Sequence, residues 1–136
     1  MSMDRVKALM KESGWGHLAT TDGKRASVRP MGGWAWVEGE LWCATGAGSD
    51  KVAQLKQHPD AEYCFIDKQG RHVRIAGACT VSTDQTDKDE LYELVPALKQ
   101  HIADPKSPEY VVLRMTPKRI RLADTRDLQY TDVEPE

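Results

Sequence analysis

The sequence predicts a mainly β domain with helices (α+β), built as a small antiparallel barrel, closed or split. Three observations carry this. Short β-prone runs are separated by tight-turn signals, above all Asp22-Gly23 and Glu38-Gly39. Strands joined by turns that short pair antiparallel, because a parallel crossover needs a dozen or more residues. Helical periodicity is confined to the start of the chain, a short central segment and a stripe before the last strands.

The elements follow in order. Met3, Val6, Leu9 and Met10 fall at helical spacing and Gly14 is a stop signal, so residues 3–13 form a helix. Trp15 to Thr21 is a strand ending at Asp22-Gly23. Arg25 to Val37 reads as one returning strand, with Pro30 and Gly32-Gly33 marking an edge or a bulge. Glu38-Gly39 turns the chain into a strand from Glu40 to Thr45. The small residues Gly46-Ala47-Gly48-Ser49 then open a short helix over 50–58, closed by Pro59. Ala61 to Asp67 and Arg71 to Ser82 are strands around Lys68-Gln69-Gly70. Leu91, Leu94, Val95, Leu98 and Ile102 form one helical stripe, and Pro96 predicts a kink or a second helix there. Two strands, Tyr110 to Met115 and Arg119 to Ala123, flank Pro117. Residues 1–123 form the domain, and 124–136 read as a polar C-terminal tail that frays.

Composition narrows the function. A chain of 136 residues fits one domain. Lys plus Arg is 19 and Asp plus Glu is 21, a net charge of -2, which lacks the basic excess of a protein that neutralises nucleic-acid phosphates. No apolar run approaches the ~20 residues of a membrane span. The first residues lack a signal-peptide pattern, and three cysteines do not make a disulfide framework, so the expected setting is cytoplasmic.

Four constellations could carry chemistry. In Thr45-Gly46-Ala47-Gly48-Ser49-Asp50-Lys51 a strand ends, small residues follow and a helix begins. Free N–H groups at a helix start hold phosphate well, and Thr45, Ser49 and Lys51 add hydroxyls and a charge. The competing reading is that Ser49 merely caps the helix. Arg29 in Arg29-Pro30-Met31 can pair bidentately with a phosphate, or it can be an edge-strand residue. Across the Glu38-Gly39 turn, Trp34, Trp36, Leu41 and Cys43 share one face and Ala35, Val37, Trp42 and Ala44 the other. Both faces are apolar, as a barrel core on one side and a subunit partner on the other would require. Arg119 and Arg121 share a face that either meets an anion or stays solvated. His17, His58, His72 and His101 are scattered, with no metal-ligand spacing, and no nucleophile motif is present. Catalytic residues are unknown at this stage.

Several stretches together resemble the pyridoxamine 5'-phosphate oxidase-like FMN-binding split barrels, especially the general-stress-protein-26-like branch. They are Gly16-His17-Leu18-Ala19-Thr20-Thr21-Asp22-Gly23, Ser27-Val28-Arg29-Pro30-Met31, Leu41-Trp42-Cys43-Ala44-Thr45, the Thr-x-x-x-Ser-x-Lys run into Lys51-Val52-Ala53-Gln54-Leu55, His58-Pro59, Val73-Arg74-Ile75-Ala76-Gly77 and Tyr110-Val111-Val112-Leu113-Arg114-Met115. The resemblance covers roughly residues 3–123. It implies a six-stranded antiparallel split β-barrel that forms a homodimer with FMN at the interface. By the same resemblance Arg29, Ser49 and Lys51 hold the FMN phosphate, and Pro30 and Met31 lie along the isoalloxazine ring, partly through backbone groups. Ala44 and Thr45 line the ribityl and phosphate region, and Arg74 is a further carry-over. Asp50 departs from the pattern: many relatives carry a basic residue there, and an acid beside a phosphate costs affinity unless it points away or pairs with a cation.

The implied function is an FMN-dependent oxidoreductase acting on a small substrate, and not a true pyridoxamine phosphate oxidase, because no second phosphate site is evident. The alternatives are a non-catalytic FMN-binding redox carrier, an empty barrel that serves in protein contacts, or a split barrel using the deazaflavin F420 or haem. For haem, no axial ligand stands out among the four histidines.

Overall fold

The computed structural model describes residues 3–136. The chain begins with α1 (Met3–Ser13), which buries Met3, Val6, Leu9 and Met10. Gly14, at φ 76°, ends it by donating its N–H to the Met10 carbonyl at 2.9 Å.

Next come β1 (Gly16–Thr21) and β2 (Ala26–Met31). Their connection is a four-residue loop, one residue longer than the expected strand bounds at Thr21 and Arg25 leave. Thr21 pairs with Ala26, and Asp22 Oδ1 accepts the Lys24 and Arg25 N–H groups at 2.8 Å each. The predicted single strand from Arg25 to Val37 is in fact two strands. β3 (Trp34–Val37) leaves β2 altogether and pairs with β4 (Glu40–Gly46). The Glu38-Gly39 turn between them is as expected, both residues having positive φ (48° and 81°).

Three further strands complete the main path. β5 (Asp60–Ile66), β6 (His72–Ser82) and β7 (Tyr110–Ala123) give the order β2-β1-β5-β6-β7-β4-β3, with a short β8 (Thr131–Val133) beside β7. All the pairings are antiparallel. β2 and β3 therefore lie at opposite ends of one sheet, joined only by Gly32-Gly33. Three peptide units from Met31 to Trp34 reach at most about 11 Å. The sheet has to curl until its ends nearly meet, which is the split barrel. Eight strands stand where the resemblance implied six and the residues suggested seven: the break at Gly32-Gly33 and the terminal β8 each add one to the seven, and the fusion of the last two into β7 removes one.

Pro117 does not divide β7 into two strands. It sits at a register shift where Ala76 faces Arg119 and Gly77 faces Pro117, leaving Lys118 as the extra residue. The first half of β7 pairs with β4 and the second half with β8.

Two cores result. The barrel interior packs Leu18, Leu41, Cys43, Tyr63, Phe65, Ile75 and Leu113 with the apolar faces of α1 and of α2 (Asp50–Gln57). A smaller core sets Val37, Trp42 and Val112 under α3 (Gln85–Leu94) and a 3₁₀ turn (Pro96–Gln100). The hairpin's second apolar face is thus covered by the same chain rather than by a subunit partner. Arg114 clamps the arrangement, bonding Glu40 Oε1 at 2.7 Å and Asp87 Oδ2 at 3.0 Å above the Trp42 ring.

Residues 124–136, expected as a tail, are tied to the domain at several points. Val133 is 3% exposed, Arg5 bonds Asp124, and the Tyr130 hydroxyl meets His72 Nε2 at 2.8 Å. Val133→Asp should therefore lower the melting temperature by about 5 °C or more, since burying an unpartnered carboxylate costs a few kcal/mol. Thermal denaturation checks this, and an unchanged midpoint would show the segment to be dispensable.

Candidate functional site

Along β2 side chains alternate, so Arg29 shares the inner face with buried Met31. A long cation on that face needs partners. Arg29 Nη1 donates to Thr20 Oγ1 at 2.7 Å and to the Leu18 carbonyl at 3.1 Å. Thr20, itself buried, donates its own hydroxyl hydrogen bond to Gln54 Oε1 at 2.5 Å. Gln54 belongs to α2, so this relay fixes Arg29 against that helix.

Lys51 lies in the first turn of α2. Burial holds its ammonium below the ordinary lysine range, and the nearby Arg29 charge pushes it the same way. Burial likewise lowers Arg29, while Asp50 opposes the shift at both cations. Among the described residues neither Arg29 nor Lys51 has a carboxylate within ion-pair distance. Two partly desolvated cations thus lie near each other and repel.

Ser49 occupies the N-cap position with extended backbone (φ -76°, ψ 154°) but makes no side-chain cap. Its hydroxyl donates to the Gly46 carbonyl at 2.9 Å instead. The first N–H groups of α2 are therefore left for a ligand or water. A Cβ built on Gly48 would meet nothing within 4 Å, so the loop before the helix is open.

Beside this lies a cavity of about 740 Å³. Its floor is the Gly32-Gly33 corner and the end of β4 at Ala44, Thr45 and Gly46, and its walls are Trp15, the 3₁₀ turn and the loop 101–109. Gly33 is required here: at φ 66°, a Cβ would fall 2.9 Å from Leu98 Cδ2.

The eight expected site residues thus divide. Arg29, Ser49 and Lys51 gather around the start of α2. Ala44 and Thr45 line the cavity. Met31 turns its side chain into the core, leaving only its backbone for a ligand. Pro30 is exposed on the outer face opposite His17. Arg74 lies on the outer face of β6, with Nε 2.8 Å from Glu62 Oε2, which raises its pKa. Arg119 and Arg121 are likewise held by Asp132 and Glu62. Thr20 and Gln54 were not singled out from the sequence; their only signal is that Thr20 shares Leu18's inward parity.

Burial pushes the Cys43 and Cys79 thiols up to about 12 and raises that of half-buried Cys64 as well, which disfavours the thiolate form. Among the described residues no group of three His, Cys, Asp or Glu side chains is placed to hold a metal. No helix there is long and apolar enough to cross a membrane.

The family model described as "Pyridoxamine 5'-phosphate oxidase like" matches residues 1–130. No curated protein matches the chain. Among solved structures, a NimC/NimA family protein from Clostridium acetobutylicum superposes with a TM-score of 0.83 at 25% identity, covering 96% of this chain and 92% of that one. General stress protein 26 from Bacillus anthracis gives 0.77 at 18% identity, over 95% and 96% of the two chains. A pyridoxamine 5'-phosphate oxidase-related, FMN binding protein from Nostoc punctiforme gives 0.69 at 17%, over 98% and 95%. The latter two share the fold.

Proposed function

Because the chain belongs to the pyridoxamine 5'-phosphate oxidase-like family, we propose that it binds FMN and uses it to oxidise or reduce a small organic substrate, as a homodimer. The observation that carries this reading is the pair Arg29 and Lys51 beside an uncapped helix start. A phosphate monoester carries about -1.5 to -2 charge at neutral pH. It neutralises both cations, relieves their repulsion and accepts the free N–H groups of α2. The residues present fit that group. The FMN-binding description of the Nostoc protein points the same way.

In this reading Arg29 and Lys51 anchor the phosphate, and Thr45 with the Met31 backbone flanks the rest of the cofactor. The bare Gly32-Gly33 backbone permits close approach of a flat ring. Bound flavin supplies the electron-transfer chemistry. Arg74 is left out, because Glu62 already holds it. The exposed apolar side chains Trp15, just before β1, and Val28, within β2, supply contact area for a second copy.

The test is an absorbance spectrum after incubation with FMN and desalting. Retained flavin bands are expected. A colourless protein would overturn the assignment and turn attention to F420 or haem. Asp50 gives a finer check. Asp50→Asn removes an acid that acts on both cations, so FMN should bind about threefold to tenfold tighter, while the lost helix-dipole contact costs about 0.5 kcal/mol. Weaker binding in a fluorescence titration would mean that Asp50 supports the site.

A further inference from the structure

The guanidinium of Arg29 is aimed by its neighbours. Leu18 and Arg29 are paired across β1 and β2, and Thr20 stands two residues further along the same inward row. The side chain therefore reaches a main-chain carbonyl and a hydroxyl at once. Nη1 donates to both, and the Ser27 carbonyl lies 3.4 Å from the same nitrogen. Among the described residues, Nε and Nη2 have no acceptor. Those two nitrogens form one edge of the planar fork, and that edge matches two oxygens of a phosphate.

The direction of the next contact is forced. A guanidinium only donates, so the Thr20 oxygen accepts from Arg29 and its single proton is left to donate. Gln54 Oε1 takes it. Because Thr20 is buried, losing that acceptor would leave its hydroxyl without a partner and without a fixed direction. Gln54 stands three residues after Lys51 on α2, so the two share one side of the helix. Buried Val52 and Leu55 seat that helix on the barrel. α2 thus carries Lys51 and the unbonded N–H groups of its first turn. Through Gln54 and Thr20 it also fixes where Arg29 stands.

We propose that Thr20 and Gln54 are positioning residues for the phosphate: they touch no ligand themselves, and they hold Arg29 so that its Nε–Nη2 edge faces the anion beside Lys51 and the start of α2. The identity of that anion rests on the flavin reading above. The physical content is preorganisation. An arginine already held by Thr20 and Leu18 has little rotamer freedom left to lose when the anion arrives.

The test compares FMN with riboflavin, which has the same ring and ribityl chain but no phosphate. Both are titrated by fluorescence into the full chain carrying Thr20→Val, Thr20→Ser or Gln54→Leu. Valine keeps the shape of threonine and removes the hydroxyl, whereas serine keeps the hydroxyl. Thr20→Val should weaken FMN binding about tenfold and Gln54→Leu about threefold to tenfold, while Thr20→Ser stays within about twofold of the parent. Riboflavin binding should change less than about twofold in all three, because the phosphate is where Arg29 acts. A role confined to folding would weaken both flavins together. Should Thr20→Val not fold, Gln54→Leu carries the comparison, since Gln54 is only half-buried and leucine suits a helix. FMN binding as tight as the parent's in the valine and leucine variants would overturn the inference, as would an equal loss for riboflavin. Thermal-shift titration with inorganic phosphate separates it from the cofactor reading. A parent chain that retains no FMN, yet is stabilised by phosphate with the same order of variants, loses the cofactor and keeps the positioning. A parent that responds to neither overturns both.

Discussion

Lys51→Ala is expected to weaken FMN binding about tenfold to a hundredfold, and Arg29→Ala at least as much, since a hydrogen bond to a charged group contributes roughly 1.5–3 kcal/mol. Stability separates this from misfolding. Lys51 is partly desolvated beside Arg29, so its removal relieves repulsion, and the flavin-free protein should melt no lower than the parent. Arg29→Ala differs, because it also strips Thr20 Oγ1 and the Leu18 carbonyl of their donor. Arg29→Lys should then restore part of the affinity but not the anchoring. The depressed Lys51 pKa adds a pH signature. As pH rises through that lowered value the ammonium is lost, and FMN affinity should fall below the pH at which an ordinary lysine, near 10.5, would titrate. The stability of the free protein runs the other way. Between the lowered folded value and 10.5 the unfolded chain binds more protons at this residue, so its contribution grows with pH. Flavin fluorescence titrations across pH measure the first effect, and wild-type affinity in both alanine variants would remove the phosphate from this site.

Much of this architecture was legible because strand parity and turn chemistry are local. Glu38-Gly39 set the β3–β4 register, and from it the two faces of the tryptophan hairpin followed correctly. What covered the second face did not follow. Leu91 and Leu98 are distant in sequence, and an apolar face looks the same under a helix of its own chain as under a partner. The same limit hid the break at Gly32-Gly33. A pair of glycines within a strand pattern signals a bulge or a corner equally well, and only the pairing of β3 with β4 rather than with the β1 side decides between them. At the site, the grouping of Arg29, Ser49 and Lys51 came from the family resemblance, because the residues alone left Arg29 open as an edge-strand residue and Ser49 as a helix cap. Arg74 did not join them, since its fate depended on Glu62 one strand away. The four-residue loop after Thr21 explains the rest. Strand bounds at Thr21 and Arg25 shift every β1–β2 partner by one, so the Arg29–Thr20 contact could not be placed from the sequence.

Gly77→Ala should be among the most damaging single-methyl additions in the molecule. Gly77 sits on β6 at the register shift against β7, between Ala61 on one neighbour and Pro117 on the other. A Cβ there would stand 2.1 Å from the Thr116 carbonyl oxygen and 3.1 Å from Met115 Cγ. The first neighbour is backbone and cannot rotate away, so the bulge itself has to open. Overpacking of side chains costs about 1–3 kcal/mol, and displacing a carbonyl of a paired strand belongs at or above the top of that range. β6 and β7 form the spine to which β4, β5 and β8 are paired, which spreads the damage. Gly48→Ala is the matched control. It adds the same methyl where nothing lies within 4 Å, and it should leave stability within about 0.5 kcal/mol. Urea unfolding of the two variants decides the matter. The Gly77 variant should lose stability by about 3 kcal/mol or more, or fail to accumulate as a folded protein. If it unfolds at the same midpoint as the control, Gly77 is there for some reason other than the close approach of β7, and the bulge is not what bends the barrel at this point.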